Sequence, residues 1–213
     1  MATILVNGKP WEYEETSYYD INVFDHEDAK GMFLILSNIL NENNLLFMPM
    51  FGTLLGFIRD HGFIKNDYDI DIMIFEKDIQ KLIDLIPAFH KVGIDITRKS
   101  EPWVYTFKYK SACCDFYTIR KAPWPYNLRY CRIVGNYIQK SFFEHTQKAE
   151  VFGIQVDVPK RPEVLIEYMY GKNWRIPQKG QAKTQTNALI HINAYRFAKR
   201  CISYINRHYI NRK

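Results

Sequence analysis

Two carboxylates, Asp69 and Asp71, stand two residues apart in the run Asp69–Phe75, and their spacing is the first feature of the sequence that points to chemistry. Side chains alternate across a strand, so both leave by the same face. Like charges held side by side repel, and a fold gains from the pair only where a cation sits between them. Upstream, the apolar run Leu45–Met50 is short enough for a buried strand. It breaks at Gly52-Thr53 and is followed by a short helical segment, Leu54–Arg59. A strand turning into a helix at such a pair points backbone N–H groups outward, which suits a phosphate. A third carboxylate, Asp115, interrupts the apolar and aromatic run Cys113–Ile119. Burying it alone is costly, so it is either held by a Lys or by backbone N–H groups, or it shares a cation with the other two.

A hard, oxygen-rich donor set selects Mg²⁺ or Mn²⁺ over zinc. The chemistry such a set supports is metal-dependent phosphoryl transfer. Gly52 and Thr53 would then hold the leaving phosphate, Arg59 would balance charge on a diphosphate, and Lys65 would assist. Asp67 projects one step before the strand and reads as a turn-forming neighbour, and His61 as a surface residue of the same loop.

Several elements have to position these groups. Asp25 and Asp28 mark a helix start, and Ala29, Met32, Phe33, Leu36, Ile39 and Leu40 follow at helical spacing up to Asn41–Asn44. Thr3–Val6 and Lys9–Tyr13 flank Asn7-Gly8 as a small hairpin. Asp78–Phe89 reads as one core-facing helix and Ser100–Pro102 as a loop. Val104–Tyr109 and Cys113–Ile119 read as a hairpin joined by Lys110-Ser111-Ala112. Tyr130–Gln139 is predicted as a strand pair interrupted at Gly135-Asn136, Val151–Pro159 as a strand, and Pro162–Tyr170 as a helix stopped by Gly171. Asn187–Tyr209 is predicted as a final helix, with Arg196, Lys199, Arg200 and Arg207 on its solvated faces.

Taken together, Gly52-Thr53-Leu54-Leu55-Gly56, Arg59, Gly62-Phe63-Ile64 and Asp67-Tyr68-Asp69-Ile70-Asp71 resemble the LicD/fukutin family of phosphotransferases. Phe152-Gly153, Val158-Pro159 and Tyr170-Gly171 through Pro177 extend the resemblance over about residues 25–178. Lys65-Asn66 stands where the family usually has Pro-Trp, and Tyr68 where it usually has an Asp. The resemblance implies an α/β (α+β) fold, a nucleotidyltransferase-like mixed β-sheet flanked by helices, with a C-terminal helical element. It also implies that Asp115 is a third metal ligand beside Asp69 and Asp71, and a candidate base. The implied reaction moves a phospho-alcohol, such as phosphocholine, ribitol phosphate or glycerol phosphate, from a CDP-linked donor to a hydroxyl of a glycan or glycolipid acceptor. CMP is released, in cell-surface polysaccharide synthesis.

The 213 residues, 47% of them hydrophobic, are enough for one domain with a real core. No run reaches the roughly 18–20 apolar residues of a transmembrane segment, and no signal peptide is recognisable. Cys113, Cys114, Cys131 and Cys201 form no zinc-like pairing and read as packed thiols, which favours a reducing, cytoplasmic setting. The net charge of +6 is uneven: from Lys160 onward 12 Lys and Arg face two Glu, while the rest has 17 basic against 21 acidic residues. A basic half is compatible with nucleic acid, anionic lipid or phosphorylated substrates. Two other functions therefore stand beside the transferase: transfer of a nucleoside monophosphate to a small molecule or RNA end, and non-catalytic binding of RNA or anionic glycan. Three carboxylates argue against an anion binder, so no specific nucleic acid is expected as a partner.

Overall fold

The computed structural model describes residues 1–17 and 23–177. The predicted helix 187–209, its basic residues and Cys201 lie outside the described residues.

A mixed sheet forms the centre. Its strands run in the order β3 (Phe47–Pro49), β4 (Ile70–Phe75), β7 (Ala112–Lys121), β6 (Val104–Tyr109) and β5 (Asp95–Ser100). β4 and β7 are parallel, and the remaining neighbours of this path are antiparallel. β8 (Tyr130–Ile133) extends β7 and pairs with β9 (Asn136–Gln139). Two hairpins stand apart from the sheet: β1 (Ala2–Val6) with β2 (Lys9–Tyr13), and β10 (Thr146–Val151) with β11 (Ile154–Pro159). The first turns on Asn7 and Gly8, whose φ values of 49° and 75° are the left-handed pair that the Asn-Gly sequence favours.

Alternation along β4 and β7 divides the core in two. Ile70, Ile72 and Ile74, with Cys114 and Phe116, pack with α1 (His26–Glu42) through Met32, Phe33, Leu36 and Leu40. Met73 and Ile119 face the other way, with Leu54 and Leu55 of α2 (Phe51–Arg59) and Leu165, Ile166 and Met169 of α5 (Pro162–Tyr170). Asp69, Asp71 and Asp115 share the parity of Met73 and Ile119. The sequence thus sends its carboxylates to the α2–α5 side and keeps the α1 side dry.

α1 begins where the sequence predicts. The Asp25 side chain accepts hydrogen bonds from the Glu27 and Asp28 amides, a cap that contributes roughly 1 kcal/mol. The helix also fixes the β6–β7 turn: Ser111 Oγ donates to Asp28 Oδ2 at 2.8 Å, and the Asp25 amide donates to Ser111 Oγ at 3.1 Å. The hairpin that carries Asp115 is thereby anchored at its tip.

Two predicted elements need correction, and one strand escaped prediction. Residues 78–89 are not one helix: a short 3-10 turn (Glu76–Asp78) leads into α3 (Ile79–Asp84) and then α4 (Ile86–Lys91), which carries Pro87 in its first turn. Proline has no N–H for the preceding turn, so it begins a helix more readily than it continues one. Val151–Pro159 is the end of β10 and all of β11, separated by Phe152 and Gly153, both at positive φ. β5 was not predicted at all. α5 matches its prediction and stops at Gly171, with φ 85°.

Candidate active site

α2 begins at Phe51, three residues earlier than the sequence suggests, so Gly52 and Thr53 lie in its first turn. Met50 offers no side-chain cap. The cap comes instead from the next strand: the Gly52 amide donates to Asp71 Oδ2 at 3.2 Å. Thr53, fully buried, turns its hydroxyl to accept the Asp71 amide at 2.8 Å. Helix start and acidic strand are therefore latched to one another, and the positive end of the α2 dipole faces the Asp71 carboxylate. Phe51, at φ 47°, takes the strained residue of this junction and sets its ring edge-on to Tyr117, with centroids 5.2 Å apart.

Across the sheet the registers align one polar row. Asp71 pairs with Asp115, Asp115 with Thr106, and Thr106 with Arg98, on four adjacent strands. Asp69 stands two residues before Asp71, immediately ahead of β4. Thr106 donates a short hydrogen bond to Asp115 Oδ1, and Arg98 Nη2 lies 3.0 Å from Thr106 Oγ1 and 3.5 Å from Asp115 Oδ1. Tyr117 donates to Asp115 Oδ2 at 3.4 Å. Arg98 reaches this face through a β-bulge between Ile96 and Arg98, whose extra residue is Thr97. The Thr97 carbonyl, displaced from regular pairing, accepts the Thr16 amide at 2.9 Å.

Burial raises the pKa of each carboxylate, and mutual repulsion adds to it at Asp69 and Asp71. Burial, then Asp115 and Asp67, push Asp69 up to about 7, against a smaller opposing pull from Arg98. Asp71 is pushed well above the ordinary range, first by burial and then by Asp69, Asp115 and Asp67. Burial raises Asp115 too, while Thr106, Arg98 and Tyr117 draw it back. Asp67 is closer to this group than its sequence position suggests. Its Oδ1 accepts the Tyr68 amide at 3.1 Å, the turn-forming role expected of it. Its Oδ2 is buried without a hydrogen-bond partner, and a Cβ at Gly52 would stand 3.2 Å from it.

Among the described residues, no three His, Cys, Asp or Glu side chains already stand in a grouping that would hold a metal ion. Asp71 turns to the Gly52 amide, and Asp115 to Thr106 and Arg98. The donors are nonetheless of the right kind for a hard divalent cation. They are carboxylate oxygens, one of them an orphan.

The remaining predicted residues divide. Arg59 ends α2 and commits its guanidinium to Asp60, with Nε 2.8 Å and Nη2 2.6 Å from the carboxylate oxygens; Nη1 is 3.4 Å from the Trp174 carbonyl. Lys65 is exposed in the turn before β4. Two groups that sequence reasoning left out of the site belong to it. Tyr170, at the end of α5, feels Asp71, Asp67 and Asp69 on one side and Arg59 on the other; burial is the first cause of its strongly raised pKa. Arg98 left one trace in the sequence: an arginine on the beat of Ile94 and Ile96, where regular alternation would bury it. Cys113 and Cys114 are free, buried thiols whose pKa values burial raises, so they pack rather than react.

A family model described as LicD/FKTN/FKRP, nucleotidyltransferase domain, matches residues 44–161. An uncharacterized protein of Rickettsia prowazekii (strain Madrid E) is 24% identical over 161 residues, 71% of this chain and 59% of that one. The ribitol-5-phosphate transferase FKTN of Mus musculus is 27% identical over 175 residues, 79% of this chain but 37% of the mouse protein. The chain thus spans less than two thirds of the length of these relatives. Among solved structures, the antibiotic-resistance factor ANT(2'')-Ia in solution superposes with a TM-score of 0.50 at 13% identity, over 85% of this chain and 100% of the other. That likeness shows a shared nucleotidyltransferase fold. With the motif, the sheet and the family match in agreement, this chain belongs to the LicD/FKTN/FKRP nucleotidyltransferase-domain family.

Proposed function

We propose that the protein transfers a phospho-alcohol group from a CDP-linked donor to a hydroxyl of a glycan or glycolipid, releasing CMP. The observation that carries the chemistry is the in-register pair Asp71 and Asp115 on adjacent parallel strands, with Asp69 two residues away on the same face. Family membership supports the substrate class, and the mouse relative is by name a ribitol-5-phosphate transferase.

Asp69, Asp71 and Asp115 would hold Mg²⁺ or Mn²⁺, which supplies charge neutralisation at the phosphates during an in-line displacement. The chain's own groups do the rest. Gly52 and Thr53 fix the Asp71 carboxylate and its strand, so the donor atoms keep their place without reorganising. Asp115, oriented by Thr106 and Tyr117, takes the proton of the acceptor hydroxyl. The bond formed joins the acceptor oxygen to the distal phosphorus. The bond broken joins that phosphorus to the oxygen bridging to CMP. Three buried free cysteines agree with a cytoplasmic setting.

The test uses CDP-ribitol, CDP-glycerol and CDP-choline with Mg²⁺, each labelled on the distal phosphorus, and a panel of glycan acceptors. The expected result is label on acceptor together with free CMP. In parallel reactions with nucleoside triphosphates labelled on the β-phosphorus, label released as pyrophosphate with the nucleotide on the acceptor would replace this reading with nucleotidyl transfer.

A further inference from the structure

The strand pair β8–β9 carries charge that the acidic row does not use. Residues 116–143 hold five Lys and Arg and no Asp or Glu. The registers set Arg120 opposite Arg132, and Arg132 opposite Tyr137, on three adjacent strands. Residues paired in this way share a face. The other face of the extension is dry: Cys131, Ile133 and Ile138 join Ile119 in the second core. Two arginines placed directly opposite repel, a cost that strand pairing does not repay. Glu76 pairs with Arg120, whereas Arg132 has no carboxylate partner among the described residues. Arg132 is held by other means. Its Cζ lies 4.4 Å from the Trp103 ring centroid, where that of Arg120 lies at 5.1 Å, and its Nε donates to the Val134 carbonyl at 2.9 Å. These contacts fix the guanidinium without cancelling its charge. Tyr126 meets Tyr137 at the end of the row, with ring centroids 5.3 Å apart. Arg129 and Lys140, both exposed, add charge at the open end of the pair, where the Lys140 amide donates to the Arg129 carbonyl at 3.0 Å.

We propose that this face holds an acceptor glycan that is itself anionic, a chain of sugars carrying phosphodiesters. The inference rests on the glycan-acceptor reading above and narrows it to a charged chain. A guanidinium that stacks by its plane binds phosphate by its edge, and phenol hydroxyls suit sugar hydroxyls. Nucleobases ask for something else, open ring faces on which to stack. Here the Trp103 ring carries guanidinium groups, and Tyr126 and Tyr137 face each other at 56°. The surface is separate from the acidic row. Arg120 stands five residues beyond Asp115 on β7, roughly 17 Å along the strand, and on the opposite face of the sheet. It therefore grips a long acceptor and leaves the reacting hydroxyl to the carboxylates.

Isothermal titration tests this with a phosphodiester-linked mannose hexamer, the neutral mannose hexamer and a uridine hexanucleotide as probes. The proteins are the wild type, Arg132→Gln, Arg132→Lys and Tyr137→Ser, with melting curves to confirm folding. The wild type is expected to bind the charged hexamer on the order of tenfold more tightly than the neutral one, less so as salt rises. Arg132→Gln should lose on the order of fivefold or more on the charged hexamer, with a flatter salt dependence, and Arg132→Lys should recover only part. Tyr137→Ser should weaken the same hexamer without changing its salt dependence. Equal affinity for the charged and neutral hexamers would overturn the proposal, as would unchanged binding in Arg132→Gln and Tyr137→Ser. Tighter binding of the hexanucleotide than of the charged hexamer would overturn it too, and mark a nucleic-acid surface. If the charged hexamer binds through Arg132 and Tyr137 but no CDP-alcohol is ever turned over, the transferase reading falls and the glycan surface stands. Turnover on a monosaccharide acceptor without binding of the charged hexamer overturns the surface alone.

Discussion

Asp71 caps a helix, sits in a sheet and faces three other carboxylates, and its single charge has to satisfy all three settings. Replacing Asp69 or Asp71 by Asn is expected to lower turnover on the order of 10³-fold or more, because metal-borne charge stabilisation goes with the ligand. Without metal, Asp69→Asn should melt no lower than wild type, since a repulsive contact is relieved. The pH dependence has a definite sign. An acid whose folded pKa is raised takes up protons on folding, so stability is highest below its ordinary value and is lost as pH rises toward the folded value. For Asp69 that window runs from the ordinary carboxylate value of 3.8 up to about 7. Metal-free melts across it should show the loss, and Asp69→Asn should flatten it. For Arg59, a helix-ending residue tied to Asp60, Arg59→Lys is expected to leave donor affinity within about twofold, read by titration with CDP.

At the scale of elements, α2 packs closely on the loop before β4. A Cβ on Gly56 would come within 2.5 Å of the Gly62 carbonyl oxygen and 3.0 Å of the Ile64 amide nitrogen. Backbone cannot yield as a flexible side chain can, so Gly56→Ala should cost about 1–3 kcal/mol and lower the melting temperature. Gly135→Ala, with nothing within 4 Å of the added methyl, should melt as wild type does. The sequence made this junction readable because Gly-Thr, the glycines and the Asp-Ile-Asp spacing are all local. Local signals also sufficed for α1, whose cap is two and three residues from the amides it serves, and for α5, bounded by Pro162 and Gly171. β5 escaped because its apolar alternation is broken by the bulge after Ile96, and parity then gives the wrong face for Arg98. Commitments made across the fold were equally hidden. No spacing rule shows that the Gly52 amide goes to Asp71 or that the fork of Arg59 goes to Asp60.

At the scale of the whole molecule, two dry layers carry an acidic row that pairing and packing alone do not neutralise. Among the described residues no helix is long and apolar enough to cross a membrane. A cation that binds the folded row and not the unfolded chain should raise stability by RT ln(1 + [L]/Kd), about 2.7 kcal/mol at a hundredfold excess over Kd. Thermal melts with and without Mg²⁺ or Mn²⁺ should show that rise in the wild type and lose it in Asp71→Asn. The basic residues Arg196, Lys199, Arg200 and Arg207 separate a transferase from an anion binder. Neutralising all four should leave turnover on a small acceptor within about twofold, because charges outside the acidic site act mainly through screened long-range attraction on long anionic partners.

The most direct measurement follows the distal phosphorus of labelled CDP-ribitol, with Mg²⁺ and glycan acceptors, in the wild type and in Asp71→Asn. The expected result is label on the acceptor and CMP in solution for the wild type, and neither for the variant. Equal transfer by both proteins, or label that reaches the acceptor together with the cytidine, would contradict the assignment of this acidic row as the centre of a phospho-alcohol transferase.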